Sequence, residues 1–222
     1  MQAKALTLYE TTIGKKALLA LSGTVLFGFV IIHMLGNLQV YLGAEVFNGY
    51  AATLKGNALV LWGARTVLIA SVVAHVVVSM TLVSQTAGVR DVGYRTLKTR
   101  KTTYAALTMK YGGPALLFFI LFHLAHFTFP GLAVGHYVHS HTNVYGNFVG
   151  SFQNPIVVVL YVTAQIFLGL HLYHGGSSLL QTLGLSHPRY DATLRLVPKA
   201  IGLGVAVGNI SMPLAVLAGV IR

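Results

Sequence analysis

The sequence predicts an all-α integral membrane bundle of five transmembrane helices with its N-terminus in the cytoplasm. Three observations predict it. Only 9% of the 222 residues are charged, against about 25% in an ordinary soluble domain. Mean hydropathy is +0.72. Five apolar stretches each reach the roughly 20 residues that a helix needs to cross the hydrocarbon core.

The first span is expected over 17–41. That stretch is too long for the apolar region of a signal peptide and has no obvious cleavage site, so no cleavable signal is expected. The second covers 58–89 and is broken only by Arg65 near its start. The third covers 111–130. From Tyr111 to Pro188 there is no Asp, Glu, Lys or Arg. That tract is too long for one helix, and Pro130-Gly131 with the polar run to Asn154 divides it. The fourth span covers 155–183 and the fifth 200–221. Residues 1–222 read as a single membrane domain with no soluble domain and no internal repeat.

Lys and Arg in the loops set the orientation. With the N-terminus inside, Lys4, Lys15, Lys16, Arg90, Arg95, Lys98, Arg100, Lys101, Lys110, Arg189, Arg195 and Lys199 fall on the inner side. Only Lys55, Arg65 and Arg222 fall outside. This orients the chain as a multi-pass membrane protein in contact with lipid. The net charge of +11 is scattered between apolar runs. It does not form the single basic face that nucleic acid requires, so no nucleic-acid partner is expected. The chain has no cysteine, which removes disulfides, thiolate metal sites and catalytic thiols.

Metal chemistry then falls to the ten histidines. His33 lies in the first span, His75 in the second, His123 and His126 in the third, His171 and His174 in the fourth; the fifth has none. One intramembrane histidine is commonly a hydrogen bond between helices. Four helices each carrying one point to a shared function. Adjacent helices run in opposite directions. Counted from the outer edge, His33 and His123 lie roughly 10–12 Å deep, and His75 and His171 roughly 24–26 Å deep. Two layers of paired imidazoles suit the two axial positions of two haem irons, a closed coordination that favours electron transfer over oxygen activation. Zinc wants three or four clustered ligands, often with a carboxylate. No span contains Asp or Glu, and a proton-pumping role lacks its carboxylates for the same reason.

Depth does not choose between His123 and His126, which stand one turn apart. His174 stands similarly beside His171. Ser22, Gly23 and Gly28, with Gly169, Gly175 and Gly176, are small enough for close cofactor approach or for tight helix packing. His136, His139 and His141 form a His-x-x-His-x-His run in the outer loop. Without a carboxylate or cysteine it reads as a solvated loop or the rim of a quinol site.

At these residues the chain resembles the single-subunit, five-helix, di-haem cytochrome b anchors of succinate:quinone oxidoreductases, a group that includes fumarate reductases. The most specific part is Lys15-Lys16-Ala17, Leu21-Ser22-Gly23 and His33-Met34-Leu35-Gly36-Asn37-Leu38. The run Gly43-Ala44-Glu45-Val46-Phe47-Asn48-Gly49-Tyr50 is similar to the family's first outer loop, and His75 follows His33 by 42 residues. Phe118 to His123 and Phe167 to His171, followed by Leu172, fit the third and fourth helices. The likeness covers nearly the whole chain.

The resemblance implies His33 and His123 as ligands of an outer haem b, and His75 and His171 as ligands of an inner one. Ser22, Gly23, His126, His174, Arg90 and Lys110 would surround the haems. It implies a flavoprotein (FAD) subunit and an iron–sulfur subunit on the cytoplasmic face, with Arg90, Lys110 and Arg189 as docking or propionate candidates. Succinate would be oxidised at the flavin, outside this chain. Electrons would pass through the iron–sulfur subunit and both haems to a membrane quinone, with menaquinone the expected species. The resemblance implies a bacterial cytoplasmic (inner) membrane and a place in the respiratory chain and the tricarboxylic acid cycle, and a higher oligomer of the complex is compatible with it. Glu45, Lys55, Trp62, Arg65 and His126 are the quinone-site candidates. Some members carry a glutamate two residues before the fourth-helix ligand for proton transfer; here that position is Gly169, so that route is not expected. The competing expectations are the cytochrome b subunit of a formate dehydrogenase or hydrogenase, and a haem-free membrane transporter.

Overall fold

Side-chain caps set where the helices begin. In the computed structural model, which describes residues 7–87, 103–129, 138–185, 187 and 189–222, α1 (Thr12–Asn37) opens at Thr11, whose hydroxyl accepts the Gly14 N–H at 3.0 Å. Such a cap satisfies one of the donors that a helix start leaves unpaired. A 3₁₀ turn (Leu38–Leu42) continues α1 and ends at Gly43. Gly43 has φ +94°, a conformation that glycine adopts without steric cost. The chain turns there into α2 (Ala44–Lys55) and then α3 (Ala58–Ala87).

Thr103 caps α4 (Tyr104–His123) by accepting from Ala106 N–H, and α4 runs on as one π-helical turn, Leu124–Thr128. Asn143 caps α5 (Val144–Phe152) through Gly146 N–H. Asn154 caps α6 (Pro155–Thr182) through Ile156 N–H. Pro155 stands in its first turn, where its missing N–H costs nothing. The last helix, α7 (Asp191–Leu217), holds Pro198 and Pro213 within it.

No strand occurs among the described residues. Among the described residues five helices are long and apolar enough to cross a membrane: α1 with its 3₁₀ extension, α3, α4 with its π turn, α6 and α7. By length and composition the chain is therefore a multi-pass membrane protein. Three spans depart from their expected bounds: the first begins at Thr12 rather than 17, where Thr11 caps it, and the third and fifth also shift. The third helix begins at Tyr104 rather than 111, because Thr103 caps it and a lysine such as Lys110 can sit inside a helix end with its charged tip in water. The fifth begins at Asp191 and ends at Leu217, rather than covering 200–221. Its first turns are polar, with Arg195 reaching Asp191 at 2.6 Å, so apolar counting missed them. Gly219, at φ +73°, follows its end. Two stretches read as loops also contain helices: α2 lies over the first connection and α5 within 131–154. Pro130-Gly131 lies outside the described residues.

α1 packs on α3, α4 on α6, and α6 on both α7 and α1. The best-buried core is at the α2/α5 end of the bundle. There Val40, Phe47, Phe148, Phe152, Val157, Met212 and Ile221 close over one another. Along the spans, by contrast, large apolar side chains stay exposed, among them Ile69, Val73 and Met80 on α3 and Phe118 on α4. In water that surface would cost about 25 cal/mol per Å²; against acyl chains it costs nothing comparable.

Candidate functional site

Each of four spans brings one histidine to a partner on another span. His33 of α1 meets His123 of α4 with ring centres 5.8 Å apart. His75 of α3 meets His171 of α6 at 6.1 Å. Two helices serve as rulers for the distance between the pairs. On α1, Gly23 lies beside the His75 ring, and His33 follows it by ten residues. On α6, Tyr161 touches His123, and His171 follows it by ten residues. At a rise of about 1.5 Å per residue, both rulers put the layers roughly 15 Å apart.

The fit of these pairs to two axial ligand sets rests on three observations. First, a metal bonded to a nitrogen of each ring at about 2 Å sets the ring centres roughly 6 Å apart, which is the spacing of both pairs. Second, neither α1 with α4 nor α3 with α6 is among the closely packed helix pairs. The imidazoles therefore meet across gaps in the bundle rather than at helix seams. Third, Nδ1 of His171 is buried without a hydrogen-bond partner, and His33 keeps exposed surface within an apolar span. Both are costly unless a further group meets them. Among the described residues no three His, Cys, Asp or Glu side chains converge, so the arrangement is pairwise and not the three- or four-ligand set of zinc.

Neighbours orient the rings. Ser22 donates its hydroxyl to the Leu18 carbonyl and lies 3.4 Å from His75 Nδ1, so it can accept the Nδ1 hydrogen and leave Nε2 for a ligand. A methyl added at Gly23 would stand 3.4 Å from His75 Cε1. Asn37 places its side-chain nitrogen 3.1 Å from His33 Nε2. An axial role for that nitrogen requires the amide to turn aside, which a side chain at a helix end can do. Phe29 and Phe119 stack on His33 and His123.

Tyr161 is the residue that sequence reasoning missed. Its hydroxyl lies 3.2 Å from His123 Nδ1 and 3.0 Å from His126 Nδ1. A tyrosine among apolar residues carries no signal of its own; only the position one layer above His171 could have pointed to it. His126 is fully buried within the π turn, against Phe122, Phe127 and Tyr161. It does not stand opposite His33; His123 does. His174 is half-buried one turn beyond His171.

The small residues divide between two uses. Gly23 backs a histidine. Gly169 packs against Gly202 and Ala206 of α7, and Gly176 against Pro198 and Phe27. A methyl at Gly28 or Gly175 would meet nothing within 4 Å.

The structure does not gather the four other quinone-site candidates at one point. Glu45 and Lys55 stand in the first and last turns of α2, about 15 Å apart along its axis. Lys55 donates to the His141 carbonyl at 2.9 Å, and Arg65 lies over the exposed Trp62 ring. Lys110 lies over Tyr111. Arg90 and His136 lie outside the described residues. His139 and His141 pack edge to face. Burial first, then the charges of His141 and Lys55, hold His139 below the ordinary histidine value of 6.5.

Comparison with protein-family models, with curated proteins and with solved structures gives no match to this chain.

Proposed function

We propose that this chain is the membrane-anchor cytochrome b subunit of a succinate:quinone oxidoreductase, the respiratory complex II type, joining a cytoplasmic flavoprotein and iron–sulfur pair to a membrane quinone. The observation that carries this reading is the double histidine pairing, at 5.8 and 6.1 Å, across helices that do not pack directly on each other. His33 and His123 would hold one haem b towards the α2/α5 end, and His75 and His171 the other. Haem b would supply reversible one-electron carriage when bound, and a histidine from each of two helices would hold its iron and favour electron transfer over oxygen chemistry. The chain itself orients four rings, keeps water away with apolar spans, and limits ring rotation through Ser22, Tyr161 and the stacked phenylalanines. The motifs around Ser22-Gly23 and His33 to Leu38 support the succinate:quinone family in particular.

The excess of Lys and Arg supports a cytoplasmic position for the end where α1, α4 and α7 begin. The partner subunits dock on that face, and the α2/α5 end faces outward with the quinone.

Purification from the native membrane tests this. The expected preparation contains two haems b per chain with reducible, low-spin, six-coordinate spectra, a flavoprotein and an iron–sulfur protein. His75→Ala or His171→Ala leaves only the outer haem, and His33→Ala or His123→Ala leaves only the inner one. A haem-free preparation overturns the cytochrome reading and returns the chain to a transporter-like role. Haem with molybdenum- or nickel-containing partners assigns it instead to a formate dehydrogenase or hydrogenase.

A further inference from the structure

We propose that Tyr161 is a positioning residue that fixes the tautomer of His123 and links it to His126 in one hydrogen-bonded line of defined polarity. The inference rests on His123 being an axial ligand.

The phenol oxygen lies within hydrogen-bonding distance of Nδ1 on both rings, at 3.2 and 3.0 Å. A phenol has one hydrogen, so it can donate to only one of two such nitrogens and must accept from the other. Ligation through Nε2 removes the ambiguity. A neutral imidazole bound at Nε2 carries its hydrogen on Nδ1. His123 therefore donates to the Tyr161 oxygen. The Tyr161 hydrogen points to His126 Nδ1, and His126 keeps its own hydrogen on Nε2. That last nitrogen is buried without a partner in a fully buried side chain, so the line ends on an unused donor.

The phenol is held in place. Tyr161 is 6% exposed. Phe119 and Phe152 meet its ring edge to face at 5.0 and 4.9 Å. His126 sits in the π turn that directly follows His123, a distortion often found at functional sites. The other histidine layer is built differently: a serine hydroxyl, Ser22, lies 3.4 Å from His75 Nδ1, His171 Nδ1 has no hydrogen-bond partner, and Tyr161 touches neither ring. A hydrogen bond accepted from Nδ1–H makes a histidine a stronger donor to its metal. A stronger donor favours the oxidised metal. Tyr161 thus lowers the reduction potential at the His33/His123 position and leaves the His75/His171 position alone.

The test is Tyr161→Phe in the full-length chain, purified as its native membrane complex. The readouts are redox titration and the low-spin electron paramagnetic resonance signals of the two haems. The expected result is two retained haems, an upward shift of the outer potential, an altered outer signal and no change at the inner haem. His126→Leu weakens the line one step further out, so a smaller upward shift of the same haem is expected. An unshifted outer potential and signal in Tyr161→Phe overturns the proposal. Should Tyr161→Phe lose the outer haem outright, His126→Leu decides: a shift supports the proposal and no shift overturns it. Absence of haem from the unsubstituted protein is a different outcome, because it overturns the ligand assignment itself.

Discussion

A single carbon beside a ring separates tolerated from disruptive changes at the histidine pairs. A methyl at Gly23 would stand 3.4 Å from His75 Cε1 and 3.6 Å from Nδ1. Those are ordinary or slightly tight contacts, so Gly23→Ala should keep the His75/His171 site occupied. Gly23→Leu must displace the ring, and overpacking of this kind costs about 1–3 kcal/mol. Under the proposed ligand assignment the expected outcome is selective loss of the inner haem, read as one haem per chain in place of two. The histidines were legible in the sequence, because an ionisable group inside an apolar span stands out. Depth alone left His123 and His126 open, since they stand one turn apart; the family resemblance favoured His123, and it is the His123 ring that meets His33. Outside the spans, His139 yields a pH prediction. Its depressed value means that the folded outer segment prefers the neutral ring. Stability from this residue is therefore complete above about 6.5 and is lost as pH falls through the lower folded value. Protection of the Ser140 N–H, which donates to Asn147 Oδ1 at 2.8 Å, should fall on acidification after correction for intrinsic exchange. His139→Gln should flatten that dependence.

Among the elements, α7 carries no histidine yet packs closely on one of the histidine-bearing helices. The contact is a pair of glycines: a methyl on Gly202 would lie 2.5 Å from the Gly169 carbonyl oxygen, and one on Gly169 would lie 3.0 Å from the Gly202 carbonyl oxygen. Backbones this close rely on small residues, as membrane helix interfaces commonly do. Asn209 adds a hydrogen bond to the buried Gln165 at 2.9 Å. Gly169 stands two residues before His171, so α7 helps to set the height and rotation of α6. Gly202→Val should push the helices apart, lower the detergent-solubilised melting temperature and loosen the His171 site first. Under the proposed ligand assignment, loss of the His33/His123 haem before the other would contradict this order. Sequence reasoning found all five long helices from apolar length, but missed α2 and α5. Their apolar residues, such as Phe47, Phe148 and Phe152, are too few for a span. They are buried only because the two helices fold over the ends of α6 and α7.

For the whole molecule, parity constrains topology before any charge is counted. Five helices that each cross once put the start of α1 and the end of α7 on opposite sides of the membrane. The proposed orientation then rests on charge. Among the described residues Lys15, Lys16, Lys110, Arg189, Arg195 and Lys199 gather at the end where α1, α4 and α7 begin, while Lys55, Arg65 and Arg222 lie towards the other. The asymmetry opposes inversion, because each added cation makes translocation of that face less favourable. The same end must receive the soluble partners if electrons enter from the cytoplasm, so orientation and docking stand or fall together. The absence of cysteine makes the test clean, since an introduced thiol is the only one in the chain. Val138→Cys, at a position 94% exposed, should react with a membrane-impermeant maleimide in intact cells. Arg195→Cys, whose native side chain is 69% exposed, should react only after the membrane is opened. The reverse pattern would move the docking face to the outside and rule out a cytoplasmic succinate-oxidising partner, even with both haems in place.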